Sequence, residues 1–292
     1  MDLAFVGGAG HSGVGPVARL IGCLSRYATL PIELGFHCGR RGIPDLLEGR
    51  VTVAGFLGAM RGQWWDEDGG EGLARILTRE RLEAALGRFE VGFHDDPVGA
   101  CRNLVLELLE AFREGAREPG LVERSRGCLE GATTLDRMFP EARFVHAVRD
   151  GRQVAAARAG GQPGAAELVE GIERWARELR RIDAGVRVIE EGAVYGVWPG
   201  RLVVVPLCEL AAGDPERRYP ELLALLGADD EPGARSFLER DLSGALEPGS
   251  WDRGLGRWER RRVDRRYRRT VEALAADGIH CAPELIAAYE RS

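Results

Sequence analysis

Short apolar runs alternate with longer stretches of helical periodicity along the chain. Leu3–Gly7 is an unbroken run that predicts a short buried strand, and the glycine-rich segment up to Gly13 follows it. Beyond that turn Val17, Leu20, Ile21 and Leu24 recur at helical spacing, with Pro16 suited to a first helical turn. Leu30–Phe36 is the next strand candidate. Trp64 and Trp65 precede an acidic, glycine-rich stretch, Asp66–Gly72, that reads as irregular surface. Helical periodicity returns at Leu73–Leu86 and at Val98–Phe112, the latter opening on Asp95-Asp96-Pro97, residues favoured near a helix start. Gly120–Glu123, Arg143–Val148 and Arg201–Val205 complete the strand candidates, and Gln153–Ala159 and Ala165–Ile182 the helices. This alternation predicts an α/β, three-layer protein with a central parallel sheet flanked by helices. Without an internal repeat or a long linker, residues 1–292 read as one domain.

Composition narrows the function classes. The 292 residues include 45% hydrophobic ones, enough for a substantial core, and carry a formal charge of -6. That balance disfavours a general nucleic-acid binder, so an anionic ligand has to be met by local charge. All 40 basic residues are arginine, which excludes a Walker-A phosphate lysine and Schiff-base chemistry. The six cysteines, Cys23, Cys38, Cys101, Cys128, Cys208 and Cys281, form no C-x-x-C pair, so they read as reduced thiols and no metal site is expected. No apolar stretch is long enough to span a membrane, and no basic leader precedes Leu3; cytoplasmic residence is the expectation. The eight arginines of Arg257–Arg269 read as a solvated helix face rather than a nucleic-acid surface.

The turn after the first strand is the first candidate for chemistry. A glycine turn between a buried strand and a helix offers backbone N–H groups at the positive end of the helix, a good place for phosphate. Gly8-Ala9-Gly10-His11-Ser12-Gly13 satisfies G-x-G-x-x-G, and Glu33, 20 residues after Gly13, lies close to where a ribose-binding acid belongs. A dinucleotide-dependent oxidoreductase is therefore one reading, and a turn that only caps a helix is the plain alternative.

A second segment decides between these readings. Arg143-Phe144-Val145-His146-Ala147-Val148-Arg149-Asp150-Gly151-Arg152-Gln153-Val154-Ala155-Ala156-Ala157 closely resembles the second nucleotide motif of bacterial sulfotransferases that use 3′-phosphoadenosine 5′-phosphosulfate (PAPS). An arginine at the carboxyl end of a strand can present a planar fork to the nucleotide's 3′-phosphate. Weaker likeness extends over most of the chain. Glu123-Arg124-Ser125 is similar to a Glu-Lys-Thr-Pro stretch, Trp175 falls where a tryptophan recurs, and Ser250-Trp251 resembles the region that closes over the nucleotide.

The resemblance implies a P-loop NTPase-like sulfotransferase fold, PAPS as co-substrate with PAP as product, and a hydroxyl or amine of a small molecule or glycan as acceptor. It implies nucleotide contacts at Gly8, Ala9, Gly10, His11, Ser12, Gly13, Val14, Gly15, Arg149, Ala157 and Trp251. His11 takes the place beside the leaving phosphate, and Glu33 or His37 that of the base, with Glu123 a third candidate. Trp64 and Trp65 are candidates for an acceptor pocket, or for core packing. The chain departs from the family where His11 replaces Arg or Lys, Val14 and Gly15 replace two hydroxyl residues, and Ala157 replaces a serine. Three missing hydroxyls correspond to a loss of about two orders of magnitude in affinity unless other groups substitute. A degenerate relative that binds another anion without sulfotransfer stays open on these residues.

Overall fold

A computed structural model describes residues 2–66, 72–113, 120–194, 200–213, 215–242 and 250–291, so most of the acidic stretch after Asp66 lies outside the described residues. Five strands form one parallel sheet: β1 (Leu3–Gly7), β2 (Tyr27–Thr29), β3 (Gly120–Glu123), β4 (Arg143–Val148) and β5 (Leu202–Pro206). Their order is β2-β3-β1-β4-β5. Alternate residues of β1 feed two cores. Leu3 and Phe5 join one with Phe144 and Val148, while Ala4 and Val6 join the other with Val145 and Ala147. Both faces are covered, which is why the strands read as continuous apolar runs.

Helix α1 (Val14–Ile21) lies on the second face. Helices α2 (Ile43–Leu47), α3 (Val53–Arg61), α4 (Arg79–Phe93) and α5 (Pro97–Arg113) follow β2, and α6 (Ala132–Met138) precedes β4. Helices α7 (Gly151–Ala159) and α8 (Ala165–Val194) pack tightly together, a Cβ on Gly171 meeting that of Ala155 at 2.6 Å. After β5 come α9 (Pro215–Leu226), α10 (Pro232–Phe237), α11 (Arg257–Ala276) and α12 (Ala282–Arg291). No described helix is long and apolar enough to cross a membrane.

Two sequence expectations shift. The strand expected at Leu30–Phe36 is instead β2 at Tyr27–Thr29. Leu30 still donates to Val122 O at 3.1 Å, but Pro31 has no N–H and ends the ladder. Leu30, Ile32, Leu34 and Phe36 are nonetheless buried in the alternation of a strand, which explains the pattern. The helix expected over Leu73–Leu86 divides into a 3-10 turn at Leu73–Arg75 and α4, because Thr78 caps α4 by accepting from Arg81 N.

The chain places β3 on one side of β1 and β4 on the other. In open parallel sheets the crevice at the carboxyl ends of such diverging neighbours is where ligands bind. Here the residues leading out of β1, β3 and β4 meet at that crevice.

Candidate functional site

The turn from β1 to α1 is shaped by close packing. A Cβ on Gly8 would lie 2.4 Å from Ala147 O, so only glycine lets the turn rest on β4. Gly13 has φ 95° and lies against Leu207. His11 also has positive φ, 64°, a conformation that costs a non-glycine residue about 1 kcal/mol or more. Helix α1 begins with no side-chain cap, which leaves its first N–H groups to an external partner or water. Ser12 is buried, and its Oγ has no hydrogen-bond partner.

Arg149 leaves β4 towards this turn. Its Nε donates to Gln153 Oε1 at 2.9 Å and one amino group to His11 O at 3.4 Å. It has no ion-pair partner among the described residues, and burial lowers its pKa. Arg124, just after β3, donates to Pro31 O at 3.3 Å, and one of its amino groups would lie 3.7 Å from a Cβ on Gly15. A half-buried guanidinium without a carboxylate is an energetic debit that a bound anion removes.

Beside the turn lies a cleft of about 430 Å³ whose lining includes Gly8, Gly10, His11, Arg40, Arg126 and Arg158. Arg158 is engaged: it pairs with Glu178 and donates to Gly10 O at 3.1 Å, while Gly10 N donates to Glu178 Oε2 at 3.2 Å. One N–H of the turn thus already holds a carboxylate. His11 is exposed, and its pKa is lowered by partial burial and then by Arg158, Arg126 and Arg149.

Of the remaining sequence candidates, Glu33 is exposed at the rim, with Oε2 3.7 Å from Arg126 Nε. Val14 is buried and Gly15 half-buried in the first turn of α1. Ala157 is exposed on α7. Trp251 stacks on Arg152, whose guanidinium also faces Tyr267 and Tyr289 and bonds Asp150 and Asp264. Trp65 is buried under Arg79, and Trp64 packs on Gly35, behind the wall of the cleft.

His37 is enclosed. Its Nε2 lies 3.2 Å from Glu123 Oε2 and 3.5 Å from Cys128 Sγ, and Cys128 donates to the same carboxylate at 2.8 Å. Leu34 N and the Ser125 hydroxyl bind the other carboxylate oxygen. Burial alone would push the His37 pKa down, but Cys38 and Glu123 outweigh it and raise it to about 10. Burial likewise opposes the Glu123 charge, which the His37 imidazolium sustains.

Arg124, Arg126 and Arg40 are the residues sequence reasoning did not assign to the site. Arg124 alone had a signal, since it holds the lysine position of the Glu-Lys-Thr-Pro-like stretch. The other two are brought in by loops whose course no periodicity reveals.

Fold and site define a class: a parallel α/β protein with an anion-ready turn at the sheet's switch point. No protein-family model and no curated protein sequence matches the chain. Among solved structures it is similar to the sulfotransferase domain of the Synechococcus PCC 7002 olefin synthase, at 16% identity and a TM-score of 0.53, over 92% of this chain and 94% of that one. It is also similar to the sulfotransferase domain from the curacin biosynthetic pathway, at 13% identity and TM-score 0.47, over 94% and 97% of the two chains. A sulfotransferase from Alicyclobacillus acidocaldarius follows at 17% identity and TM-score 0.46, over 94% and 95%. The first likeness identifies the fold as that of a sulfotransferase domain, in agreement with the expectation from the two motifs.

Proposed function

We propose that the protein is a sulfotransferase that moves a sulfuryl group from PAPS to a hydroxyl or amine of a small-molecule or glycan acceptor. The observation that carries the reading is Arg149. It is half-buried, lacks a carboxylate partner among the described residues, and is tied to the backbone of the glycine turn in a sulfotransferase fold. A nucleotide with phosphates at both its 3′ and 5′ positions would satisfy the strand-end arginine and the uncapped start of α1 together.

In this reading the residues of the turn, Gly8 to Gly15, surround the 5′-phosphate, and Arg149 meets the 3′-phosphate. Ala157 stands where the family resemblance puts a serine on the 3′-phosphate, and Trp251 in the region that the resemblance closes over the nucleotide. In-line transfer develops negative charge on the leaving phosphate oxygen, where a cation assists most in the transition state. His11 is the group at that place. Its lowered pKa favours the neutral form in the free protein, so the bound anion has to draw a proton back onto it. Glu33, exposed at the rim, is the carboxylate available to accept the acceptor's proton; His37, the other sequence candidate, faces Glu123 instead.

Thermal unfolding in the presence of PAP and, separately, of NADP(H) tests the reading. A ligand that binds only the folded state raises the melting temperature by mass action. PAP should raise it and NADP(H) should not. The opposite result would return the glycine turn to a dinucleotide and overturn the proposal.

A further inference from the structure

One side-chain cluster next to the cleft is not used by this chemistry. A ring nitrogen of His37 and the Sγ atoms of Cys38 and Cys128 all lie within 4.8 Å of one another. Cys128 is 90 positions beyond Cys38 in sequence, and the fold alone brings them together. The approach is built into the backbone: a Cβ on Gly131 would fall 3.1 Å from both Cα and O of Cys38, so the turn that carries Cys128 can close on Cys38 only with glycine there.

We propose that His37, Cys38 and Cys128 form a zinc(II) site at the edge of the cleft, with the Glu123 carboxylate beside it. Two thiolates and an imidazole are the donor set that selects zinc among the common divalent ions. Tetrahedral zinc with bonds of about 2.0–2.3 Å spaces its donors about 3.3–3.8 Å apart, so closing the cluster needs about 1 Å of side-chain movement. His37 Nε2 is the ring nitrogen that faces Cys128 Sγ, at 3.5 Å, and Glu123 Oε2 lies against both donors, 3.2 Å from that nitrogen and 2.8 Å from that sulfur, where a carboxylate can complete the donor set.

Cys38 is half-buried and lines the cleft, whereas His37 and Cys128 are buried. Any position on the metal not filled by protein therefore faces the cleft. Binding would replace the two thiol protons and one N–H proton of the His37 imidazolium by bonds to the ion, so protons are released to solvent. No redox step is involved. The site would tie the turn after β3 to the segment that follows β2, two walls of the cleft that no strand ladder joins beyond Leu30.

The test needs no nucleotide, so it stands apart from the sulfotransferase reading: either can fail alone. Protein purified without chelator from zinc-supplemented medium is assayed for zinc by mass spectrometry, then stripped and titrated with cobalt(II). About one zinc per chain is expected, and cobalt should give the intense visible bands of a tetrahedral site with thiolate charge transfer. Cys38→Ser and Cys128→Ser should each lower metal affinity at least about tenfold, while Cys23→Ser, on the other side of the sheet, should not. Should the serine variants fail to fold, the wild-type protein still decides: zinc must protect two thiols from alkylation, identified by peptide mapping as Cys38 and Cys128. Trace zinc only, a cobalt spectrum without charge transfer, protection of other cysteines, or a Cys38–Cys128 disulfide in the purified protein would overturn the site.

Discussion

The turn after β1 and the cluster after β3 stand side by side at the carboxyl edge of one sheet, yet the charged group at the centre of each is treated in the opposite way. Around Glu123 both carboxylate oxygens are occupied, by Leu34 N–H, the Ser125 hydroxyl and backbone, Cys128 and His37. Around Arg149 the guanidinium forms no ion pair among the described residues, Ser12 Oγ is unpaired, and α1 starts without a side-chain cap. A folded chain tolerates such debits where a ligand later cancels them, and fills them elsewhere. On the proposed reading the difference leaves the turn for an anion and lets the Glu123 cluster hold the loops around it together. Glu178 fits the same contrast, because its carboxylate already sits on Gly10 N–H and Arg158.

The largest effect should come from breaking the satisfied cluster. Glu123→Ala in chelator-treated protein leaves the buried His37 without its counter-charge, and removing one partner of a buried pair typically costs about 3–5 kcal/mol. Urea unfolding should show a loss of that size. A loss below about 1 kcal/mol would mean that the cluster is not held by this ion pair, and the contrast would lose one of its sides.

Arg149→Ala should do the reverse: little change in stability, but weaker PAP binding. A bond to a charged group contributes about 1.5–3 kcal/mol, so PAP affinity should fall about 10- to 150-fold in calorimetric titration. Adenosine 5′-phosphate, which lacks the 3′-phosphate, should lose much less. Equal losses for both nucleotides would place Arg149 elsewhere in the site.

How legible were these two regions? Four of the five strands were readable, because parallel strands covered on both faces appear as apolar runs bounded by turns. β2 was misplaced because the extended segment after it keeps a strand's alternating burial although Pro31 has ended the ladder. The turn and Arg149 were visible as local motifs, since the glycines and the strand-end arginine answer to neighbours close in sequence. The Glu123 cluster was not. Its members, His37, Cys38, Glu123, Ser125 and Cys128, come from the segment that follows β2, the last residue of β3 and the turn after it, and neither cysteine has a partner at a spacing that signals a site. Nor did the sequence show that Arg158 is spent on Glu178, as that pairing depends on how α7 packs on α8.

His11 gives the smallest effect and the most direct test of what the open turn is waiting for. Partial burial first, and then Arg158, Arg126 and Arg149, lower its pKa from the ordinary 6.5, while Glu178 pulls the other way. A histidine whose folded pKa is depressed binds fewer protons in the folded state than in the unfolded one. Its stability contribution is therefore complete above pH 6.5 and declines as pH falls through that value towards the folded pKa. An anion bound at the turn reverses the local field and raises the His11 pKa, so the complex takes up a proton that the free protein lacks. Affinity must then increase as pH falls between the bound and free pKa values, by at most about tenfold per pH unit for one proton. Inorganic sulfate is the probe of choice, because it does not titrate in this range whereas nucleotide phosphates do. Sulfate affinity of the wild-type protein should rise from pH 8 to pH 6, and His11→Gln should flatten the rise while keeping a polar side chain. If the variant shows the same slope, the proton is taken up elsewhere, and the anion the turn accepts does not lie against His11.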